Sequence, residues 1–492
     1  MDFAEELRSS LQDFLVGASI EIRENGSHIT AVSPLSWEVR GEGGKPLLHL
    51  WAENCNVTRR VLAIADHSDT RMALSVERFG RIKPERMEIV RIEFVRSAKQ
   101  LSREEFCEQL RRILAEQFPD ETVERLTIAA DLEHSLSRLY VRGISRRGSH
   151  SCAFLAVPPG QLPDAIESSL TFGPLWLQRA RQTAASGTLS ALRLILPKGK
   201  SAILTHRLAA IDPRVSIQIF ELDGLSETLE KVDPCASGNI ATWLVPRRES
   251  QLLLDRAAAA LAPVVALAPS EITAHPSTPD HEVVLRFRGL SFARWSDGQV
   301  FFDAGGAWEE LRKHNEVELK QLLLNLQTFR NPLASQTRHP LYRAHSERWL
   351  QSVVQQDITR VDVSLLPELV YDQVFAQAAA QHGILDLLGI TRAGRLAILE
   401  FKTTEDLDLP LQAADYWSRI RRHQEAGDLA RCGYFPGVQL QPAAPLVYLI
   451  APALRFHPST DVLLEFLRPE MEVVRIGLAE SWRRAIRVML RQ

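Results

Sequence analysis

Gly383-Ile-Leu-Asp386-Leu-Leu-Gly-Ile390, Thr391-Arg-Ala-Gly394 and Arg395-Leu-Ala-Ile-Leu-Glu400-Phe-Lys402 form one continuous stretch. Two apolar runs flank a short polar turn, the pattern of a β-hairpin. With the turn centred on Ala393, Asp386 falls directly across from Glu400. Directly opposed residues place their Cβ atoms roughly 5 Å apart. Side chains alternate along a strand, so Glu400 and Lys402 share a face and Phe401 points away. Two carboxylates and an ammonium are thus expected on one side of a sheet otherwise built from Leu, Ile and Ala. Opposed like charges repel, and charge on a buried strand loses hydration. A divalent cation resolves that conflict. Hard oxygen ligands suit magnesium, with manganese as an alternative. An exposed edge-strand ion pair is the plainer reading of Glu400 and Lys402, but the apolar run Leu396–Leu399 and Asp386 opposite weigh against it.

These residues resemble the PD-(D/E)XK nuclease superfamily over roughly residues 342–450. The resemblance implies a restriction-endonuclease-like αβββαβ core. It makes Asp386 and Glu400 metal ligands, with the backbone carbonyl of Phe401 beside them, and Lys402 the catalytic lysine. It adds Glu347 on the preceding helix and Gln412 on the following one, both orienting the surroundings. The family's proline before the aspartate is replaced by Leu385. Implied with these is a magnesium-dependent nuclease, a phosphodiester hydrolase acting on DNA rather than RNA. The rival expectation is an inactive nuclease-like scaffold that binds DNA or a protein partner. On the following helix Gln412, Tyr416, Arg419 and His423 recur at helical spacing, and Arg421 and Arg422 add charge. Tyr416, Arg419 and Arg422 are therefore candidate contacts to a nucleic-acid backbone, against the plainer reading of a solvated helix.

Working outward, residues 339–492 read as helix, three strands, then helix–strand–helix–strand, with the three strands at 368–374, 384–390 and 395–401. Residues 101–225 repeat that order, and Gly143-Ile-Ser-Arg-Arg-Gly148 aligns without a gap on Gly389-Ile-Thr-Arg-Ala-Gly394. Two copies of one αβ unit are expected. A turn centred on Arg147 in the first copy would pair Tyr140 with Phe154 and put Ala156 in the place of Lys402, a set that binds no cation. That copy is read as degenerate. Residues 226–338 read as a connecting region with a helix, a proline-rich linker from Pro263 to Pro279, a hairpin and a helix over 308–329. Residues 1–100 read as one helix and six short strands, a β-rich module. Within it, Asn56–Arg60 and Arg78–Arg81 are expected as basic loops.

Composition bounds the rest. With 492 residues, about three domains are expected, and the fold class is multidomain α/β. The net charge of −3 gives no global nucleic-acid signature, so any DNA surface must be a local patch. Cys55, Cys107, Cys152, Cys235 and Cys432 are scattered without metal-ligand spacing, and the acidic N-terminus lacks a signal-peptide pattern. A cytoplasmic protein without membrane association is expected, and self-association stays open. His339, His345 and His457 show no ligand spacing and remain unassigned. No GxxxxGK[ST] loop or Gly-x-Ser-x-Gly elbow occurs, which removes ATP-driven motors and the usual serine hydrolases.

Overall fold

The computed structural model describes residues 3–15, 20–24, 27–32, 36–40, 46–52, 55–68, 71–77, 85–91, 103–131, 133–161, 163–183, 188–205, 207–224, 226–234, 242–305, 308–372, 374–376 and 386–492. The chain is a multidomain α/β protein in two compact units, Met1–Gln100 and Leu101–Gln492. No helix among the described residues is long and apolar enough to cross a membrane.

In the first unit α1 (Phe3–Leu15) precedes β1 (Ile20–Glu24), β2 (Ser27–Val32), β3 (Ser36–Arg40), β4 (Leu47–Ala52), β5 (Cys55–His67), β6 (Arg71–Glu77) and β7 (Glu85–Arg91). They form one antiparallel sheet, ordered β2-β1-β7-β6-β5-β4-β3. Leu7, Leu11 and Phe14 share a face of α1 and pack on alternate residues of the sheet, among them Ile20, Leu48, Leu50, Met72 and Leu74. The expected loop Asn56–Arg60 lies within β5, and Arg78–Arg81 lies outside the described residues. Ser27–Val32 escaped the sequence reading because its alternation is carried by weakly apolar residues.

The second unit opens with α2 (Arg103–Gln117), β8 (Thr122–Thr127), β9 (Val141–Arg147) and β10 (His150–Ala156). Next come α3 (Pro163–Glu167), α4 (Ser169–Thr183), β11 (Thr188–Pro197), α5 (Ala202–Thr205), β12 (Ser216–Asp223) and β13 (Thr228–Lys231). The sheet order is β13-β12-β11-β10-β9-β8, parallel from β10 to β12 and antiparallel elsewhere.

The chain continues through β14 (Trp243–Leu244) and α6 (Arg247–Val265). A five-stranded antiparallel meander follows: β15 (Ile272–Ser277), β16 (Glu282–Phe287), β17 (Leu290–Ser296), β18 (Gln299–Asp303) and β19 (Trp308–Glu310). After α7 (Glu316–Phe329) it has its own core, in which Leu253, Ala257 and Leu261 meet Leu285, Phe287, Phe302 and Leu323. The expected proline-rich linker is not one. Pro263 sits in the last turn of α6, where the helix tolerates it, and Ile272–Ser277 is a paired strand despite Pro276. Residues 308–329 are likewise a strand and a later helix.

The last part comprises α8 (Pro340–Arg343), α9 (Ser346–Gln356), β20 (Phe375–Ala376), β21 (Leu387–Ile390), β22 (Leu396–Phe401), α10 (Leu409–Glu425), α11 (Asp428–Arg431), β23 (Leu446–Pro452), α12 (Thr460–Leu464), β24 (Val473–Leu478) and β25 (Val488–Arg491). The expected single helix over 341–356 is broken at His345, whose backbone is left-handed with φ of 45°. The order β21-β22-β23-β24-β25 matches β9 to β13 strand for strand: an antiparallel hairpin, two parallel crossovers, an antiparallel edge. Both faces of β22 and β23 are covered, and their sequences are near-continuous apolar runs. Among the described residues, the place of β8 is taken by bridges at Leu365–Thr391 and Tyr371–Leu388. Pro367 between them has no N–H to extend the ladder expected over 368–374.

The two αβ units meet through corresponding segments. Ile211, just before β12, bridges Leu467, just before β24. Asp212 N donates to Phe466 O at 2.9 Å, and Arg468 N donates to Ala210 O at 3.0 Å. Exchanging the two units maps each bond onto the other, so the seam has local two-fold symmetry. Leu155, Leu192 and Leu194 of one unit and Ile398, Trp417 and Leu449 of the other belong to one core.

Candidate active site

The hairpin register is Leu387 opposite Leu399 and Ile390 opposite Leu396, which continues to Asp386 opposite Glu400. The ladder stops at Leu387, and Asp386 Oδ2 instead accepts the Phe401 N–H at 2.9 Å. Leu388, Ile390, Leu396 and Ile398 face the core shared with α10, whereas Leu387, Ala397, Leu399 and Phe401 face the α9 side. Alternation therefore puts Asp386, Glu400 and Lys402 together on the α10 side. Glu400 is only 4% exposed, in a strand flanked on both sides, and its Oε2 is buried without a hydrogen-bond partner.

Such a carboxylate resists ionisation. Burial, then the charge of Asp386, lifts the Glu400 carboxyl well above its ordinary value. Burial pushes Asp386 up to about 6; the Phe401 N–H works against that shift and the charge of Glu347 adds to it. Burial also raises Glu347, which feels Lys402 and Asp406. Lys402 goes the other way. Burial would depress its ammonium, but Asp406, Glu347 and Glu400 outweigh that and push it up to about 12. Its Nζ lies 2.9 Å from Asp406, four residues further along the chain.

Two helices close the site. At the start of α9, Ser346 Oγ meets Thr403 Oγ1 at 2.6 Å, which fixes Glu347 beside the lysine. One turn on, Gln351 Nε2 donates to the Asp386 carbonyl at 2.9 Å. From α10, Tyr416 turns inward, and burial plus the charges of Glu400 and Asp386 raise its phenol above the ordinary value. Gln412 lies one turn earlier on that face, half-buried. The structure thus brings the charges of Glu347, Asp386, Glu400 and Lys402 within reach of one another, with Gln412 on the helix face that carries Tyr416. It adds Asp406 and Gln351, which carried no motif; Lys402 and Asp406 meet across a non-helical loop, where their spacing gives no signal.

The expected basic face of α10 does not form as one surface. Tyr416 is 6% exposed, and Arg419 holds Asp415 through bonds of 3.1 and 2.7 Å. His423 is buried between Thr242 at 2.7 Å and Asp428 at 2.6 Å. Arg422 alone of the three candidate contacts is exposed. The reason is packing: α10 lies in the core between the two units and has little free surface.

The donor set around Glu400 fits a hard cation. One buried carboxylate oxygen lacks a partner, a second carboxylate stands opposite, and both resist ionisation unless positive charge is supplied. Elsewhere among the described residues, Asp131, Glu133 and His134 offer three donor atoms within 4.8 Å. Two of them are already paired: His134 Nδ1 is 2.9 Å from Asp131, and Arg179 is 3.3 Å from Asp131.

The first copy departs from expectation in register. Its turn has two residues between paired His150 and Arg147, one fewer than the turn between Thr391 and Arg395, so Phe154 faces Gly143 and not Tyr140. Val157 N bonds Ile195 O as Lys402 N bonds Ile450 O. Val157 therefore occupies the place of Lys402, Leu155 that of Glu400, and Arg142 that of Asp386. Phe154 and Ala156 belong to the opposite face. Arg142 is 1% exposed, donates to the Ala129 carbonyl and lies over the Trp176 ring at 5.6 Å.

Compared with known proteins, the chain matches no protein-family model, no curated protein and no solved structure.

Proposed function

We propose that the chain is a metal-dependent nuclease of the PD-(D/E)XK kind, hydrolysing phosphodiester bonds of DNA, with residues 339–492 as its restriction-endonuclease-like domain. The observation that carries this reading is the buried, unpartnered Glu400 Oε2 facing Asp386, with Lys402 two residues along the same face. Asp386 and Glu400, with the Phe401 carbonyl, would hold magnesium or manganese. Bound there, the cation supplies an acidified water and neutralises charge developing on the phosphate. The protein's own groups do the rest. Lys402 orients the attacking water and stabilises the anionic transition state. Asp406 and Glu347 keep the lysine charged and aimed. Tyr416 and the apolar face of α10 exclude bulk water, which strengthens every charge–charge interaction inside.

The test is nicking of supercoiled DNA by the full chain. Magnesium-dependent nicking is expected, with loss in Asp386→Asn and Lys402→Ala while circular dichroism stays that of the wild type. Variants as active as the wild type reject the assignment. A second reading, an inactive scaffold, is favoured by one feature: Lys402 is already paired with Asp406. Titration calorimetry separates the two. Metal-binding heat lost in Asp386→Asn supports the active site, and no heat at millimolar metal supports the scaffold.

A further inference from the structure

The acid-rich site has a basic neighbour that it does not use. Arg348 follows Glu347 on α9 and lies one turn before Gln351, whose side chain holds the Asp386 carbonyl at 2.9 Å. Its guanidinium makes no hydrogen bond or ion pair among the described residues. Asp386 feels its charge, and so do Arg286 and His345.

The meander brings the other cations. The turn between β16 and β17 presses on α9: a Cβ on Gly289, where φ is +80°, would lie 2.2 Å from the Arg348 carbonyl oxygen. Arg286 on β16 is buried and reaches Asp372 at 3.7 Å. Arg330, also buried, donates to the carbonyls of Arg288, Leu341 and Ala344 at 3.1, 2.9 and 2.7 Å, so no carboxylate neutralises it there. His345 caps α9 in a left-handed backbone and is exposed, three residues before Arg348 and on the same edge of the helix. Arginines gathered this way repel one another, as the charge of Arg348 does that of Arg286. An anion arriving at the mouth of the site would meet the Arg348 guanidinium, with the exposed His345 ring three residues before it on the helix.

We propose that Arg348 and His345 form a subsite for a backbone phosphate of the nucleic acid, next to the phosphate held at Asp386 and Glu400. The inference rests on the nuclease reading and deepens it by naming where the uncleaved part of the strand is gripped. Arg348 supplies a planar fork suited to two phosphate oxygens, and His345 a ring N–H beside it. Arg286 and Arg330 sit behind as fixed positive charge, out of direct contact.

The experiment measures binding of a fluorescein-labelled DNA duplex by the full-length Lys402→Ala protein in magnesium, followed by anisotropy across a salt series. Adding Arg348→Ala is expected to weaken binding about tenfold and to reduce the salt slope by about one. Arg348→Gln, which keeps the stem and its packing, should behave like Arg348→Ala. Arg348→Lys should recover part of the affinity, a result that a packing role would not give. Unchanged affinity and slope in both neutral variants overturns the subsite. If the wild type still nicks DNA in that case, the nuclease reading survives. If Lys402→Ala binds neither DNA nor an RNA duplex of the same length, and the wild type does not nick, both fall.

Discussion

The two αβ units place the same hairpin face under the same kind of helix and put opposite chemistry on it. In one, Leu155 and Val157 with Arg142 make an apolar surface crossed by a single guanidinium that ends on a backbone carbonyl and an aromatic ring. In the other, Glu400, Lys402 and Asp386 occupy those places, and one carboxylate oxygen has no partner at all. Two helices cover both faces from between the units: Trp176 of α4 lies beside Arg142, and Tyr416 of α10 beside the carboxylates. The scaffold tolerates a version of this face without any carboxylate, in which Arg142 Nε is itself buried without a partner. The facing carboxylates Asp386 and Glu400 are therefore not imposed by the fold.

The largest effect should separate the units by activity. Asp386→Asn or Lys402→Ala is expected to lower magnesium-dependent nicking about a thousandfold, the scale set by loss of one preorganised charge at a reacting centre. Arg142→Ala should leave the metal dependence intact. It should instead lower stability by about 3 kcal/mol, because it removes a large buried side chain and its contact with the Trp176 ring. Denaturant melts and nicking rates on the same samples read both. A first-copy variant that abolished nicking while the melt stayed unchanged would break the division of labour.

The next effect concerns pH. Asp386 is pushed up to about 6 from 3.8 by burial, so in metal-free protein its neutral form is the one the fold prefers. That preference contributes stability which is fully present below the unfolded value near 4 and is lost as pH rises through 6. The metal-free wild type should therefore lose on the order of 2 kcal/mol, relative to Asp386→Asn, between pH 4 and pH 7. Saturating magnesium should remove the difference, since bound cation favours the ionised carboxylate. A difference that is flat with pH would mean the carboxyl is not strained.

Much of this was legible before any coordinates, and the pattern of success is physical. The register that faces Asp386 with Glu400 follows from a three-residue turn and strict alternation, and the repeated strand order follows from apolar runs with period two. The same reasoning misplaced the partner of Phe154 because one residue fewer in the turn shifts the ladder, and neither Arg147 nor Gly148 announces that turn's length. The role of α10 was hidden for another reason. Arg419 and His423 look like an open basic face at helical spacing, and only packing from distant segments buries Tyr416 in the core shared by the two αβ units and His423 against Thr242 and Phe375. Arg348 was invisible because its meaning depends on Arg286 and Gly289, which lie far away in sequence and come close only when the meander docks on α9.

The smallest predicted effect tests whether the first αβ unit does more than cover the second αβ unit. At the start of α10, Asp408 is held by hydroxyls at the start of α4: Ser168 Oγ, just before the helix, donates to it at 2.8 Å, and Thr171 Oγ1 also donates. The Asp408 N–H in turn donates to Asp406 Oδ1 at 2.8 Å, and Asp406 pairs with Lys402 at 2.9 Å. A chain of contacts thus runs from α4 to the lysine. Ser168→Ala with Thr171→Val leaves the Asp408 carboxylate short of two donors in a buried place, so melting should fall by a few degrees. The informative number is the turnover rate. If the chain of contacts aims Lys402, kcat should drop about two- to fourfold while KM for DNA stays within error, because the loss falls on the transition state and not on strand binding. A lower melting point with kcat untouched would say that the first αβ unit only buries surface, and that Asp406 holds the lysine unaided.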